Sequence, residues 1–174
     1  FHRRSAGDGV VVPALKAGVD VSRLRRIEKD GAAPFLVLRC NGVRIFCRGG
    51  NWGMDDGMKR VSRERLEPAF RLHREEGFNM VRNWTGESTE ELFYTLCDEY
   101  GLLVWNDFWL STEGYNQNVN DEELFMANAR ETVRRFRNHP SLAVWCPRNE
   151  GYATPTLEPR LAALIAREDG TRFY

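Results

Sequence analysis

A chain of 174 residues can hold one sizeable domain core, or one domain plus a remnant of another. Its 25 Lys and Arg balance its 25 Asp and Glu, and the charges are interspersed, so neither nucleic acid nor an anionic membrane is an expected partner. Hydrophobic residues make up 42%, an ordinary globular composition, and no apolar stretch approaches membrane-spanning length.

The chain begins at Phe1 with neither Met nor a signal peptide, and is expected to be an internal piece of a longer protein. Residues 1 to about 33 are irregular, with strand character at 10–13 and 19–27. They read as a peripheral strand or the last strand of a preceding β domain. Phe35 to Cys40 and Val43 to Cys47 are two extended apolar runs joined by Asn41-Gly42. Asn-Gly at such a junction predicts a hairpin, because a type I′ turn needs positive φ at both central residues. Arg48-Gly49-Gly50-Asn51-Trp52 follows, and its glycines predict a tight turn.

From there helix and strand alternate. Ser62 to Glu76 is a helix with Leu66, Ala69, Phe70 and His73 on one face. Pro68 predicts a separate first turn or a kink, and Gly77 the C-terminal stop. Phe78 to Trp84 is a strand. Ser88 and Glu91 have capping-box spacing and open a helix to Tyr100, its buried stripe being Leu92, Phe93, Leu96, Cys97 and Tyr100, and Gly101 ends it. Leu102 to Phe108 is the next strand, and 111–120 a polar loop. Asn120 and Glu123 again have capping-box spacing, opening a helix to about Arg137 that buries Phe125, Ala129, Val133 and Phe136. Asn138-His139-Pro140 stops it. Ser141 to Cys146 is a short buried strand, and the last helix runs from about Thr156 to Glu168.

This predicts four βα units, with strands near 44–48, 78–82, 102–106 and 141–146, in a parallel sheet. Four units complete a small doubly wound domain or make half of an eight-unit barrel, and the chain ends where a fifth strand should begin, which favours the half-barrel. The expected fold is α/β: the N-terminal half of a (β/α)8 barrel at 41–174, preceded by a short β segment. Residues 1–40 are expected to be a remnant of a preceding β-sandwich domain and linker with the first arm of the hairpin. Such a half-barrel exposes strand edges and an apolar face, so self-association or cover from the 1–40 segment is expected.

Cys40, Cys47, Cys97 and Cys146 show no CxxC spacing and sit in apolar patterns, which predicts buried free thiols. With His2, His73 and His139 scattered, no metal site is expected, and no cofactor.

A parallel sheet would gather Asn51 and Trp52, Arg82 to Trp84, Asp107 to Trp109, and Arg148 to Glu150 at one end. Each alone has a plain structural explanation. Together, indole faces beside amides and carboxylates suit a sugar ring, with its apolar CH faces and belt of hydroxyls. From the pattern alone, a carbohydrate site and an unspecified one are equally good readings.

The segments Asn41 to Trp52, Gly77 to Trp84, Leu96 to Trp105 and Asn138 to Glu150 resemble, in the same order, glycoside hydrolase family 2. Val81-Arg82-Asn83-Trp84 and Trp105-Asn106-Asp107-Phe108 are most similar to its β-mannosidase and exo-β-glucosaminidase branch. The resemblance implies a retaining β-glycosidase on a (β/α)8 barrel preceded by β-sandwich domains. It implies that Glu150 is the general acid/base, that Asn149 hydrogen-bonds the 2-substituent of the sugar, and that Arg82 orients the nucleophile. Trp84, Asp107 and Trp109 would be pocket walls. The implied partners are a carbohydrate substrate and the remainder of the same polypeptide. By resemblance alone, a periplasmic or secreted setting is expected over a cytoplasmic one. The family's nucleophile is a Glu near the end of the seventh strand, which this chain does not reach, so the fragment itself is expected to be inactive. Two other readings stand beside this one: a barrel relative that binds sugar without chemistry, and a self-contained flavodoxin-like domain. Strand order separates the latter from a half-barrel.

Overall fold

The computed structural model describes residues 38–40, 43–54, 56–110, 119–151 and 154–174. The strand character expected before residue 38, the Asn41-Gly42 turn itself and most of the 111–120 loop lie outside these residues. Strand β1 (Leu38–Cys40) pairs antiparallel with β2 (Val43–Ile45), with Leu38 opposite Ile45 and Cys40 opposite Val43. That register leaves two residues between the arms, the spacing of a two-residue hairpin.

The second sheet has four parallel strands in sequential order: β3 (Gly49–Trp52), β4 (Met80–Asn83), β5 (Leu103–Asp107) and β6 (Leu142–Cys146). A doubly wound domain would put its first strand in the middle. Among the described residues it lies at the edge and the order is sequential, which argues against the flavodoxin-like reading. The first parallel strand is not where the sequence placed it. The strand expected near 44–48 splits: its start belongs to the hairpin, and the barrel strand begins at Gly49. Gly49 and Gly50 therefore extend the chain instead of turning it. At Gly49 a Cβ would lie 1.8 Å from the carbonyl oxygen of Met80 on the neighbouring strand, so no side chain fits there.

Each parallel strand is followed by a helix. These are α1 (Arg63–Glu75), α2 (Glu91–Tyr100), α3 (Glu122–Phe136) and α4 (Leu157–Glu168). α1 is one helix through Pro68, so the separate first turn, one of the two expected outcomes, does not form. Pro68 lies on an exposed side, where water can satisfy the Glu64 carbonyl that lost its donor. Gly77 (φ +77) follows the end of α1 and Gly101 (φ +67) caps α2, as left-handed helix ends require. Both expected capping boxes are corrected. α3 is capped by Asp121, whose carboxylate accepts from the Leu124 N–H at 2.9 Å, one residue past Asn120. α2 starts after Glu90 without a side-chain cap, because Ser88 is engaged elsewhere.

The main core lies between the sheet and the helices. Trp52, Phe70 and Phe93 form one aromatic cluster, with ring centroids 4.8–5.7 Å apart. Phe108 stacks on fully buried Trp145 at 5.6 Å, and Tyr94 stacks on Phe136 at 4.0 Å. Burying side chains of this size stabilises the fold by ~1.5–3 kcal/mol each. A smaller cluster lies apart from it: Leu38, Leu103, Ala143 and Val144 are buried together, with Ile45, Met80, Trp105 and Phe173 against them. Leu38 and Ile45 are a hairpin pair, so the hairpin covers part of this apolar surface. At the free edge of β6, Phe173 forms a parallel bridge with Val144, and the Trp145 N–H donates to the Phe173 carbonyl at 2.7 Å. That is the position of a fifth strand.

The thiols divide. Cys97 is buried and Cys146 half-buried, but Cys47 is exposed, because it lies in the irregular stretch between hairpin and barrel strand. The side chain of Cys40 lies outside the described ones. Among the described residues no helix is long and apolar enough to cross a membrane.

Candidate active site

The parallel register sets Asn51 beside Arg82, Arg82 beside Trp105, and Asp107 beside Cys146. Neighbouring residues on each strand point to opposite faces. Arg82 and Asp107 therefore share one face, and Asn83 and Asn106 share the other.

Arg82 is the hub of the first face. Its Nε donates to Asp107 Oδ1 at 3.1 Å and its Nη2 to Asp107 Oδ2 at 2.7 Å, a two-point grip. Nη2 also donates to Asn149 Oδ1 at 2.8 Å, and Nη1 reaches Asn51 Oδ1 at 3.5 Å. The Arg82 side chain is 27% exposed, whereas Asp107 is fully buried. Two further donors hold the carboxylate of Asp107. Trp105 Nε1 donates to Oδ1 at 3.1 Å, and the Thr85 N–H donates to Oδ2 at 3.1 Å. Thr85 does so from φ +51 within the short 3-10 turn Trp84–Gly86, an unusual conformation for a β-branched residue. Gly86 (φ +65) completes the turn. A Cβ there would come within 2.6 Å of the Asp107 carbonyl and 3.1 Å of the Trp109 ring.

Trp109 packs beside this turn and against Phe108 and Phe125, with centroids 5.8 and 5.7 Å away. Trp84 opens the turn and is half-buried. Asn149 is 5% exposed, and its N–H donates to the Leu110 carbonyl at 2.9 Å, which ties the tip of β6 to the segment after β5. Arg148 is equally buried, and its Nε donates to the Asn149 carbonyl at 3.3 Å. Glu150 follows, exposed at the rim, with φ +46. Of the six predicted residues, Arg82, Asp107 and Asn149 are thus in direct contact. Glu150 is next in chain to Asn149, and Trp84 and Trp109 flank the turn that grips Asp107. The Cys146 thiol near Asp107 is no candidate nucleophile, since burial, and then the neighbouring carboxylate, push its pKa up.

The opposite face takes Asn83 and Trp52, expected among the strand-tip residues, and joins them to Asn106, Ser88 and Tyr94, which had no site role in the sequence. Asn83 Nδ2 donates to Asn106 Oδ1 at 2.7 Å and to the Ser88 carbonyl at 2.8 Å, and the Ser88 N–H returns a bond to Asn83 Oδ1 at 3.0 Å. Tyr94 Oη donates to Asn106 Oδ1 at 2.7 Å, and Trp52 Nε1 to Ser88 Oγ at 3.2 Å. Burial pushes the Tyr94 phenol far up, so it stays a neutral donor. A signal existed for this network. Two polar residues in succession at the end of an apolar strand must point to both faces, so one of each pair lies under the helices and needs partners.

The sequence matches the description "Glycosyl hydrolases family 2, TIM barrel domain" over residues 36–173. It is 39% identical over 137 residues to a mannosylglycoprotein endo-beta-mannosidase of Lilium longiflorum, covering 72% of this chain and 14% of that protein. It is 40% identical over 114 residues to beta-mannosidase B of Thermothelomyces thermophilus, covering 64% of this chain and 13% of the relative. Among solved structures, a beta-D-mannosidase from Dictyoglomus thermophilum superposes with a TM-score of 0.71 at 30% identity, over 79% of this chain and 19% of that one. The chain thus spans about a seventh of the length of these curated relatives. With sequential parallel strands, alternating helices and a match across most of its length, the chain belongs to glycosyl hydrolase family 2 and carries part of that family's TIM barrel domain.

Proposed function

We propose that the chain forms the first four βα units of a retaining β-glycosidase that hydrolyses O-glycosyl bonds of β-linked sugars. The observation that carries this reading is the contact of Arg82 with Asp107 and Asn149 at the C-terminal ends of three strands, with Glu150 one residue further on at the rim. That is the end of a parallel barrel where chemistry sits. A retaining glycosidase needs two carboxyl groups about 5 Å apart, one ionised to attack and one protonated to donate. Glu150 is the general acid/base. It protonates the leaving oxygen, then takes a proton from the incoming water. Asn149 hydrogen-bonds the sugar's 2-substituent, Arg82 orients the nucleophilic carboxylate, and Trp84 and Trp109 wall the pocket. The nucleophile comes from a later strand of the same polypeptide, which is therefore a necessary partner. Residues 1–40 join this barrel to a preceding β domain.

The names of the relatives make a β-mannoside the first substrate to try. The test is hydrolysis of aryl β-mannoside, β-glucoside, β-glucuronide and β-glucosaminide by the full-length protein and by this chain alone, with the product anomer followed by proton NMR. The full-length protein is expected to release the β-anomer first and the isolated chain to release nothing. Binding without turnover by the full-length protein would replace this reading with that of a sugar-binding relative, and an inverted product would overturn the retaining mechanism.

A further inference from the structure

Asp107 resembles a residue available to a sugar, since it is a carboxylate at a strand tip in a candidate sugar site. Its surroundings argue otherwise. A carboxylate has about four acceptor positions, and all four are taken. Oδ1 receives Arg82 Nε and Trp105 Nε1, and Oδ2 receives Arg82 Nη2 and the Thr85 N–H. The residue is fully buried. A hydroxyl donating to either oxygen would have to displace one of these donors. One of them is the Thr85 backbone N–H, held in a left-handed turn whose Gly86 has no room for a side chain against the Asp107 carbonyl.

The consequence for Arg82 is geometric. Asp107 holds the Nε and Nη2 edge of the guanidinium from one side, and the same Nη2 reaches Asn149 Oδ1. That leaves Nη1 for the opening, where it meets exposed Asn51 at 3.5 Å, the outer limit of a hydrogen bond. With its Oδ1 held by Arg82, Asn149 must aim its Nδ2 elsewhere. One buried carboxylate thus sets which edge of Arg82 faces a reacting group and which end of the Asn149 amide does.

We infer that Asp107 is a positioning residue and not a sugar ligand, fixing the Arg82 fork and through it the Asn149 amide. This rests on the glycosidase reading above for its catalytic consequence, though not for its geometry. The test uses the full-length protein and its Asp107→Asn variant, with Asp107→Glu as a second variant should the first not fold. A crystal structure of the wild type with D-mannonolactone is expected to show no sugar oxygen within hydrogen-bond distance of Asp107, and one such contact would overturn the inference. In the variant, free of sugar, Arg82 is expected to leave Asn149, whereas an unmoved Arg82–Asn149 contact would overturn it. Turnover of a series of singly deoxygenated aryl glycosides should fall by on the order of 10²-fold, equally across the series and with KM nearly unchanged. A loss that disappears for one deoxy sugar would mark Asp107 as that hydroxyl's ligand. If the wild type neither binds the lactone nor turns over any glycoside, the glycosidase reading fails, and the sugar-free variant structure still decides the role of Asp107.

Discussion

Arg82 and Asn83 are neighbours on one strand, Asn106 and Asp107 on the next, yet each pair is split between two environments. Arg82 and Asp107 form a charged grip that opens partly to solvent through the arginine. Asn83 and Asn106 form a neutral network closed over by Tyr94, Ser88 and Trp52. The split follows from desolvation. Under the helices, where nothing is exposed, amides and a phenol can be satisfied by hydrogen bonds alone. An ion pair there would first have to be taken out of water, at a cost its own attraction seldom recovers. At the rim one partner keeps its hydration, and the charge stays available to a third group. The two faces therefore differ in kind: one keeps a charged pair partly open to solvent, the other ties the strand tips together with neutral hydrogen bonds.

The sharpest way to break this division is Glu150→Gln. In the full-length enzyme it should lower turnover of a natural disaccharide by about 10²–10⁴-fold. Aryl glycosides with activated leaving groups should lose much less, and the unfolding midpoint should not move. Equal losses on both substrates would remove Glu150 from the acid role. Next in size is Arg82→Met, which strands the buried Asp107 charge and should destabilise by about 3 kcal/mol in urea unfolding. Adding Asp107→Leu should restore most of that stability without restoring activity. A double variant no more stable than the single one would show that the grip does not hold the site by pairing charge.

A smaller effect is expected on the closed face. Tyr94→Phe removes one donor, but Asn106 Oδ1 keeps its bond from Asn83. The loss should be about 1 kcal/mol, with kcat within about twofold of wild type. A large fall in kcat at unchanged stability would mean that the two faces are coupled after all. The smallest effect is a pH dependence outside both. His139, between α3 and β6, lies between Asp98 (2.7 Å) and Glu91 (2.9 Å). Burial alone would lower its pKa, but the hydrogen bonds to Asp98 and Glu91 outweigh it, and the net shift is upward. Its contribution to stability is then complete below about pH 6.5, the ordinary histidine value, and fades as pH rises through the folded value. The stability gap between wild type and His139→Gln, measured by urea unfolding across that range, should be widest at acid pH. A gap that widens with alkali would refute the assignment.

Much of this architecture was legible in the chain because apolar runs and their polar tips leave simple traces. β4, β5 and β6, with Arg82, Asp107 and Asn149 at their ends, follow from that rule and from the parallel sheet that alternating elements impose. β3 was not legible, because its two glycines carry the signature of a turn. Only the neighbouring Met80 carbonyl, unknown to the sequence, explains why a strand must be bare at Gly49. The cap at Asp121 was missed by one residue, since Asn120 and Asp121 are chemically equivalent candidates and backbone geometry alone chooses between them. Tyr94 was missed because the expected stripe of its helix left it out, and a phenol is silent about what its hydroxyl will meet. At Asp107, its place beside the other strand tips was readable, and the saturation of its oxygens was not.

The bridge at Phe173 has a bearing on how further chain can be added to the sheet. Phe173 packs with the small cluster of Leu103 and Val144, while Tyr174 packs against the large core beneath the helices. Two successive aromatics thus face opposite ways and act as a key with bits on both sides. A strand continuing from them can enter in one alignment only, because a slip of one residue would exchange the two rings and place each in a space shaped for the other. Mispairing at this edge, by a copy of the chain or by a wrong segment of it, meets a lock already turned.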